Sequence, residues 1–221
     1  MQSFDEILAR AVARHGGAAE VEAALPQART ARALARLTDD RWLAEMTRSV
    51  FRAGFRWKVV DAKWAGFEEA FHGFDTMACA MLSDEDLEAL QADTRIIRNG
   101  PKIRTVRDNA IFVRQLKDEY GSFARCVADW PGTDIVGLWM LMKARGSRLG
   151  GMSGPMTLRS LGKDSFLLTG DVTRALVGAG VVDRPPTGKR ALAEVQAAFN
   201  AWHDETGRPL CQLSRILAMS V

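Results

Sequence analysis

The 221-residue chain is poor in the residues that build metal and disulfide sites, with three cysteines and three histidines. Cys79, Cys126 and Cys211 are far apart and odd in number. That excludes a disulfide framework, a CxxC redox pair and an iron–sulfur ligand run. They read as buried free thiols. His15, His72 and His203 have no ligating neighbour at helical spacing, so no zinc, no other metal and no cofactor is expected. No apolar run approaches the roughly 18 residues that a membrane span needs. The N-terminus, MQSFDEILARAVARHGG, carries charges throughout and lacks the apolar core of a secretory signal, so the cytoplasm is the expected location. Alternating β-branched residues are scarce, which argues against strands. Neither sign of charge dominates: the net formal charge is +3. A mild excess of that size permits nucleic-acid binding without demanding it, because the distribution of charge matters more than the sum.

What the chain has in quantity is alanine, leucine, arginine and glutamate, with apolar residues spaced by three and four. This spacing predicts an all-α protein. Helices are expected at 3–14, 19–25, 28–37, 39–53, 61–71, from 84 onward, and at about 101–118, 120–129, 133–145, 154–162, 171–179, 187–203 and 208–219. Thr38 and Ser83 precede acidic residues and read as helix caps. Gly100-Pro101, Pro131-Gly132, Gly150-Gly151 and Pro185-Pro186 mark loops. Residues 1–37, rich in Ala and Arg, read as a helical N-terminal arm. Residues 38–221 read as one domain of two packed lobes.

The most informative stretch is 151–174, GMSGPMTLRSLGKDSFLLTGDVTR. Its small residues form a turn feeding a helix, within a hairpin spanning 149–158. Such a turn brings main-chain N–H groups close to an anion. Amide contacts to a phosphate set register without reading sequence. Gly151, Ser153, Gly154, Met156 and Thr157 are the candidate DNA contacts, and a simple tight connection is the competing reading. Arg95, Arg98, Lys102, Arg104 and Arg107 recur at helical spacing, with Arg98 and Lys102 the candidates to meet phosphates. A solvated basic face is the alternative there.

Leu161-Gly162-Lys163, Phe166-Leu167-Leu168, Thr169-Gly170-Asp171-Val172 and Arg174 follow the hairpin in an order that resembles the helix-hairpin-helix DNA glycosylase superfamily. A second set of blocks resembles the 3-methyladenine DNA glycosylase I family within it. These are AG-x-x-W at 53–57, F-x-x-F-D from Phe71 to Asp75, and IIR-x-x-x-KI at 96–103, followed by Asn109-Ala110. They cover roughly residues 43–115.

The resemblance implies a two-lobed helical bundle with the hairpin on DNA. It further implies a monofunctional glycosylase that flips an alkylated purine of 3-methyladenine type out of double-stranded DNA in base excision repair. The implied protein is a monomer, cytoplasmic and nucleoid-associated, with no membrane partner. Trp57, with Phe51, Phe55 and Ser49, is the implied base pocket, with ordinary core aromatics as the competing reading. A cationic methylated base stacks on such a wall. An apolar side chain near 55–57 or 97–101 would wedge into the gap. The superfamily's catalytic aspartate position falls on Thr169, which leaves Asp171 as the candidate acid and Glu45 as its alternative, with a simple helix cap as the competing reading of Asp171. The hairpin lysine of bifunctional members falls at Met156, so no lyase step is expected. The pocket glutamate falls near Ser49, and the terminal Cys/His zinc ligands have no counterpart. A catalytically impaired DNA-binding lesion sensor and an all-α protein-interaction domain remain as rival readings.

Overall fold

The computed structural model describes residues 1–221 and contains fifteen α-helices, two single-turn 3-10 helices and no strand. The first eight helices are α1 (Phe4–Arg14), α2 (Ala18–Ala23), α3 (Ala31–Leu34), α4 (Asp39–Arg52), α5 (Trp57–Ala62), α6 (Trp64–Ala70), α7 (Thr76–Ala80) and α8 (Asp84–Ala92). The remainder are α9 (Gly100–Tyr120), α10 (Phe123–Asp129), α11 (Ile135–Arg145), α12 (Ser153–Ser160), α13 (Gly170–Gly178), α14 (Lys189–Thr206) and α15 (Leu210–Met219). The all-α expectation holds. Three local expectations change, the first being the helix expected over 28–37, which is only the four residues of α3. The helix expected over 61–71 is split into α5 and α6 at Lys63, and α7 arises where none was expected. Five residues are too few to show a period, and α7 depends on a local cap: Asp75 Oδ1 accepts the Ala78 N–H at 2.7 Å. No helix is long and apolar enough to cross a membrane.

The chain forms two compact units, one of residues 1–29, 130–138 and 162–221, the other of 30–129 and 139–161. In the first, α1 is fastened at its start rather than hanging free. The Phe4 N–H donates to Glu205 at 3.0 Å, and the indole N–H of Trp202 donates to the Gln2 carbonyl at 3.2 Å. Phe4, Ile7 and Ala11, one stripe of α1, are buried. Phe166 and Phe199 stack with centroids 4.1 Å apart. Pro209 offers no capping side chain to α15, so Asp164 supplies one from a distance. Its carboxylate accepts the N–H groups of Leu210 and Cys211 at 3.1 and 2.8 Å. Residues 1–29 therefore share a core with 162–221, whereas the expected arm boundary lay at residue 37.

In the second unit the core is aromatic. Phe51, Phe67, Phe71 and Phe74 are fully buried, with Phe51 edge-on to Phe67 at 4.7 Å and Trp64 stacked on Phe67 at 5.4 Å. Fully burying one such ring is worth about 1.5–3 kcal/mol. The long helix α9 runs beneath α4, α7, α8 and α10. Asn99 starts it by accepting the Lys102 N–H, and Gly121 ends it in the left-handed conformation. Ser83 and Asp86 form the expected reciprocal cap at the start of α8.

Candidate functional site

A half-enclosed pocket of about 100 Å³ lies within the second unit. One wall is the end of α4 and the start of α5, contributed by Ser49, Arg52, Ala53 and Trp57. The other is α12 with the turn before it, contributed by Met152, Ser153, Met156 and Ser160. An apolar cavity of ~150 Å³ takes up a benzene ring, so this volume suits part of a planar ring system. The break between α4 and α5 makes the first wall. Gly54 has φ +79°, a conformation a side chain resists, so the helix stops and the chain turns outward. Phe55 is left 38% exposed and Trp57 52% exposed. Trp57 stands in the pocket wall, whereas Phe55, expected in the base pocket, projects from the turn and does not line it. Large exposed aromatics of this kind mark contact surface.

Arg52 frames the Trp57 ring. Its guanidinium lies 4.9 Å from the ring centroid and donates to Asp61 at 2.6 Å. One turn deeper, Arg48 lies 4.0 Å over Trp64 and 3.4 Å from the Glu45 carboxylate. Glu45 is buried, and the hydroxyl of Ser160, itself in the pocket wall, favours its charged form. Burial pushes its carboxyl above the ordinary range, against the pull of Arg48 and the Ser160 hydroxyl. The site therefore couples a recessed carboxyl to a pocket hydroxyl.

The hairpin joins α11 to α12. The Gly154 N–H donates to the Leu149 carbonyl at 3.1 Å, and Ser153 N–H to the Gly150 carbonyl at 3.3 Å. A Cβ on Gly154 would stand 2.5 Å from the Leu149 oxygen, so only glycine closes this turn. Gly151 is exposed at the tip. Thr157 is fully buried and its hydroxyl donates to the Ser153 carbonyl at 2.9 Å. Gly154 and Thr157 thus build the hairpin from inside, which corrects their reading as DNA contacts. Ser153 and Met156 face the pocket.

The remaining candidates divide sharply. Ser49 and Trp57 line the pocket together. Phe51 does not: it is fully buried among the core aromatics, because its position on α4 points inward. Lys102 also departs from expectation. It is buried, with its ammonium on the carbonyls of Phe51 and Ala53, so it cannot reach a phosphate. Arg98 is exposed. Arg95 and Arg107 are spent on ion pairs with Asp93 and Asp84. Asp171 lies in the other unit, exposed in the first turn of α13 and paired with Arg174. Thr169 is the cap of that helix, accepting the Val172 N–H at 3.3 Å. Sequence reasoning overlooked Arg52, Met152 and Ser160. Arg52 stands three residues after Ser49 and Ser160 four after Met156, so helical spacing alone places each beside a residue already singled out.

Residues 33–141 match the family model described as methyladenine glycosylase. That span holds the α4–α5 wall of the pocket and ends before the hairpin. DNA-3-methyladenine glycosylase 1 of Escherichia coli (strain K12) is 37% identical over 59 residues, 27% of this chain and 32% of that protein. The chain thus matches about a third of the length of this curated relative. The 3-methyladenine DNA glycosylase I of Staphylococcus aureus superposes with a TM-score of 0.50 at 19% identity, covering 57% of this chain and 77% of that one. At that identity the likeness is one of fold.

Proposed function

We propose that this relative of the methyladenine glycosylases, similar to them through residues 33–141, hydrolyses the N-glycosidic bond of an alkylated purine in double-stranded DNA. One observation carries the reading: an exposed tryptophan walls a pocket that admits part of a planar ring system and whose opposite wall begins at a hairpin turn. The hairpin amides around Gly151 anchor a backbone phosphate. Phe55, projecting from the Gly54 turn, fills the gap left when the target nucleotide swings out. The extrahelical base stacks on Trp57, a contact worth about 1–3 kcal/mol.

An alkylated purine that carries positive charge is already a good leaving group. The glycosidic bond breaks with its electron pair going to the base, and positive charge develops at the sugar. Water then adds its oxygen to the sugar carbon and releases a proton. A carboxylate near that charge lowers the barrier. Glu45 is the group assigned to this role. It is recessed one turn behind Ser49 and acts through the Ser160 hydroxyl at the pocket wall. Asp171 is assigned to its helix turn instead. With Met156 in the hairpin no covalent intermediate forms, and the product is an abasic site.

A purified-protein assay on methylated duplex DNA tests this, with released bases identified by mass spectrometry. Release of a methylated purine with the strand left unbroken is the expected result. Release of no methylated base from any alkylated duplex overturns it. Ser49 stands where the resemblance implies a base-reading glutamate, so the assay also identifies the opposite outcome, a lesion binder. That protein would hold methylated duplex more tightly than unmodified duplex and release nothing.

A further inference from the structure

We infer that Lys102 is a positioning residue, a buried clamp that holds the 53–57 loop so that Phe55 stands ready to enter the duplex. The role of Phe55 rests on the function proposed above, whereas the clamp itself rests on geometry. The Lys102 ammonium donates to the Ala53 carbonyl at 2.5 Å and to the Phe51 carbonyl at 3.2 Å. These are among the last carbonyls of α4, which have no N–H of the next turn to accept and gather the negative end of the helix dipole. A cation there is favoured, and few side chains other than lysine reach two such oxygens at once from a neighbouring helix.

The same ammonium lies 4.5 Å from the centroid of the Phe55 ring. One group therefore holds both the backbone where α4 ends and the face of the side chain that projects from it. Lys102 is itself anchored: its backbone N–H donates to the Asn99 side chain at the start of α9. The loop's own bonds, Ala53 N–H to Ser49 and Phe55 N–H to Arg52, secure its N–H side. Lys102 secures the carbonyl side. It also explains why a strongly polar group tolerates burial there, since two of its three protons are bonded and an aromatic face takes part of its charge.

The test compares wild type with Lys102→Met, Phe55→Ala and the double variant. In the free protein, amide hydrogen exchange of residues 54–57 is expected to rise about tenfold in Lys102→Met, the scale of one charged hydrogen bond lost. Exchange across the middle of α9 is expected to stay as in wild type. In single-turnover base release, Lys102→Met and Phe55→Ala are expected to lose about tenfold on methylated duplex and far less on the same DNA as single strands, where nothing must be unpaired. The double variant is expected to be no worse than either single one, since both act through one side chain. Unchanged exchange at 54–57 overturns the clamp. Equal losses on duplex and single strands, or additive losses, overturn its action through Phe55. Should the wild type release no base from either DNA, the function proposed above fails while the exchange measurement still decides the clamp. If Lys102→Met does not fold, Lys102→Gln, which keeps a donor and loses the charge, takes its place with the same criteria.

Discussion

The side-chain amide of Asn109 closes a two-way pair with the backbone of Ser147, accepting its N–H at 2.7 Å and donating to its carbonyl at 3.1 Å. Asn109 is fully buried on α9, and Ser147 opens the hairpin turn. The next residue, Arg148, is held at φ +58°, a conformation costly for a side chain this size. The pair from α9 supplies what keeps that turn in place.

Removing it has a defined cost. Asn109→Leu leaves a buried N–H and a carbonyl without partners, a loss of roughly 2–3 kcal/mol. Urea unfolding is expected to show that fall in midpoint with an unchanged slope. Binding to unmodified duplex is expected to weaken as well, because the hairpin is no longer set. Wild-type DNA affinity in a destabilised Asn109→Leu would show that the pair serves folding alone.

Trp57 is half exposed, so its replacement should touch binding far more than folding. Trp57→Ala is expected to raise the KM for methylated duplex about tenfold, in line with a lost stacking contact of about 1–3 kcal/mol. Trp57→Phe keeps an aromatic face and most of the affinity. Calorimetric unfolding should place both variants within about 0.5 kcal/mol of wild type, as for exposed substitutions generally.

Under the proposed mechanism, Glu45 couples activity to pH. Its folded pKa is raised above the ordinary 4.5, chiefly by burial. The folded chain therefore holds that proton more tightly than the unfolded chain. The stability this contributes is full below pH 4.5 and is lost as pH rises through the folded value. Glu45→Gln mimics the neutral acid, so at neutral pH it is expected to melt above wild type, the gap closing below pH 4.5. Base release should move the other way, dropping roughly 10–100-fold with the carboxylate gone. Wild-type release should climb with pH as Glu45 ionises. A Glu45→Gln protein as active as wild type would remove Glu45 from the mechanism.

Salt separates the basic residues. Arg98→Ala is expected to lower the slope of log affinity against log salt by about one, the signature of one lost phosphate contact. Arg107→Ala should leave the slope alone, since that guanidinium is already paired with Asp84 and the Leu82 carbonyl. Asp171→Asn should leave base release unchanged, its carboxylate serving Arg174 and the start of α13.

Much of this architecture can be read from local pattern. The caps at Ser83 and Thr169, the Gly121 stop and the long amphipathic helices all depend on residues a few positions apart, and such interactions survive in a one-dimensional reading. The block AG-x-x-W likewise announces the Gly54 break and the exposed Trp57, because a glycine-dependent turn carries its reason in its own residues.

Lys102 and Phe51 mark the limit. In sequence Lys102 belongs to a run of regularly spaced cations, and no local rule tells it from Arg98. Its fate depends on carbonyls some fifty positions earlier, at the end of α4. Phe51 and Trp57 are six residues apart and equally apolar in composition, yet one is core and the other rim. Which face of α4 is covered depends on α6 and α9 packing against it, a pairing distant in the chain. Period, caps and turns are short-range and thus belong to the string of residues. Burial, partner choice and the shift of the Glu45 carboxyl arise from chain segments brought together, so the folded arrangement alone sets them.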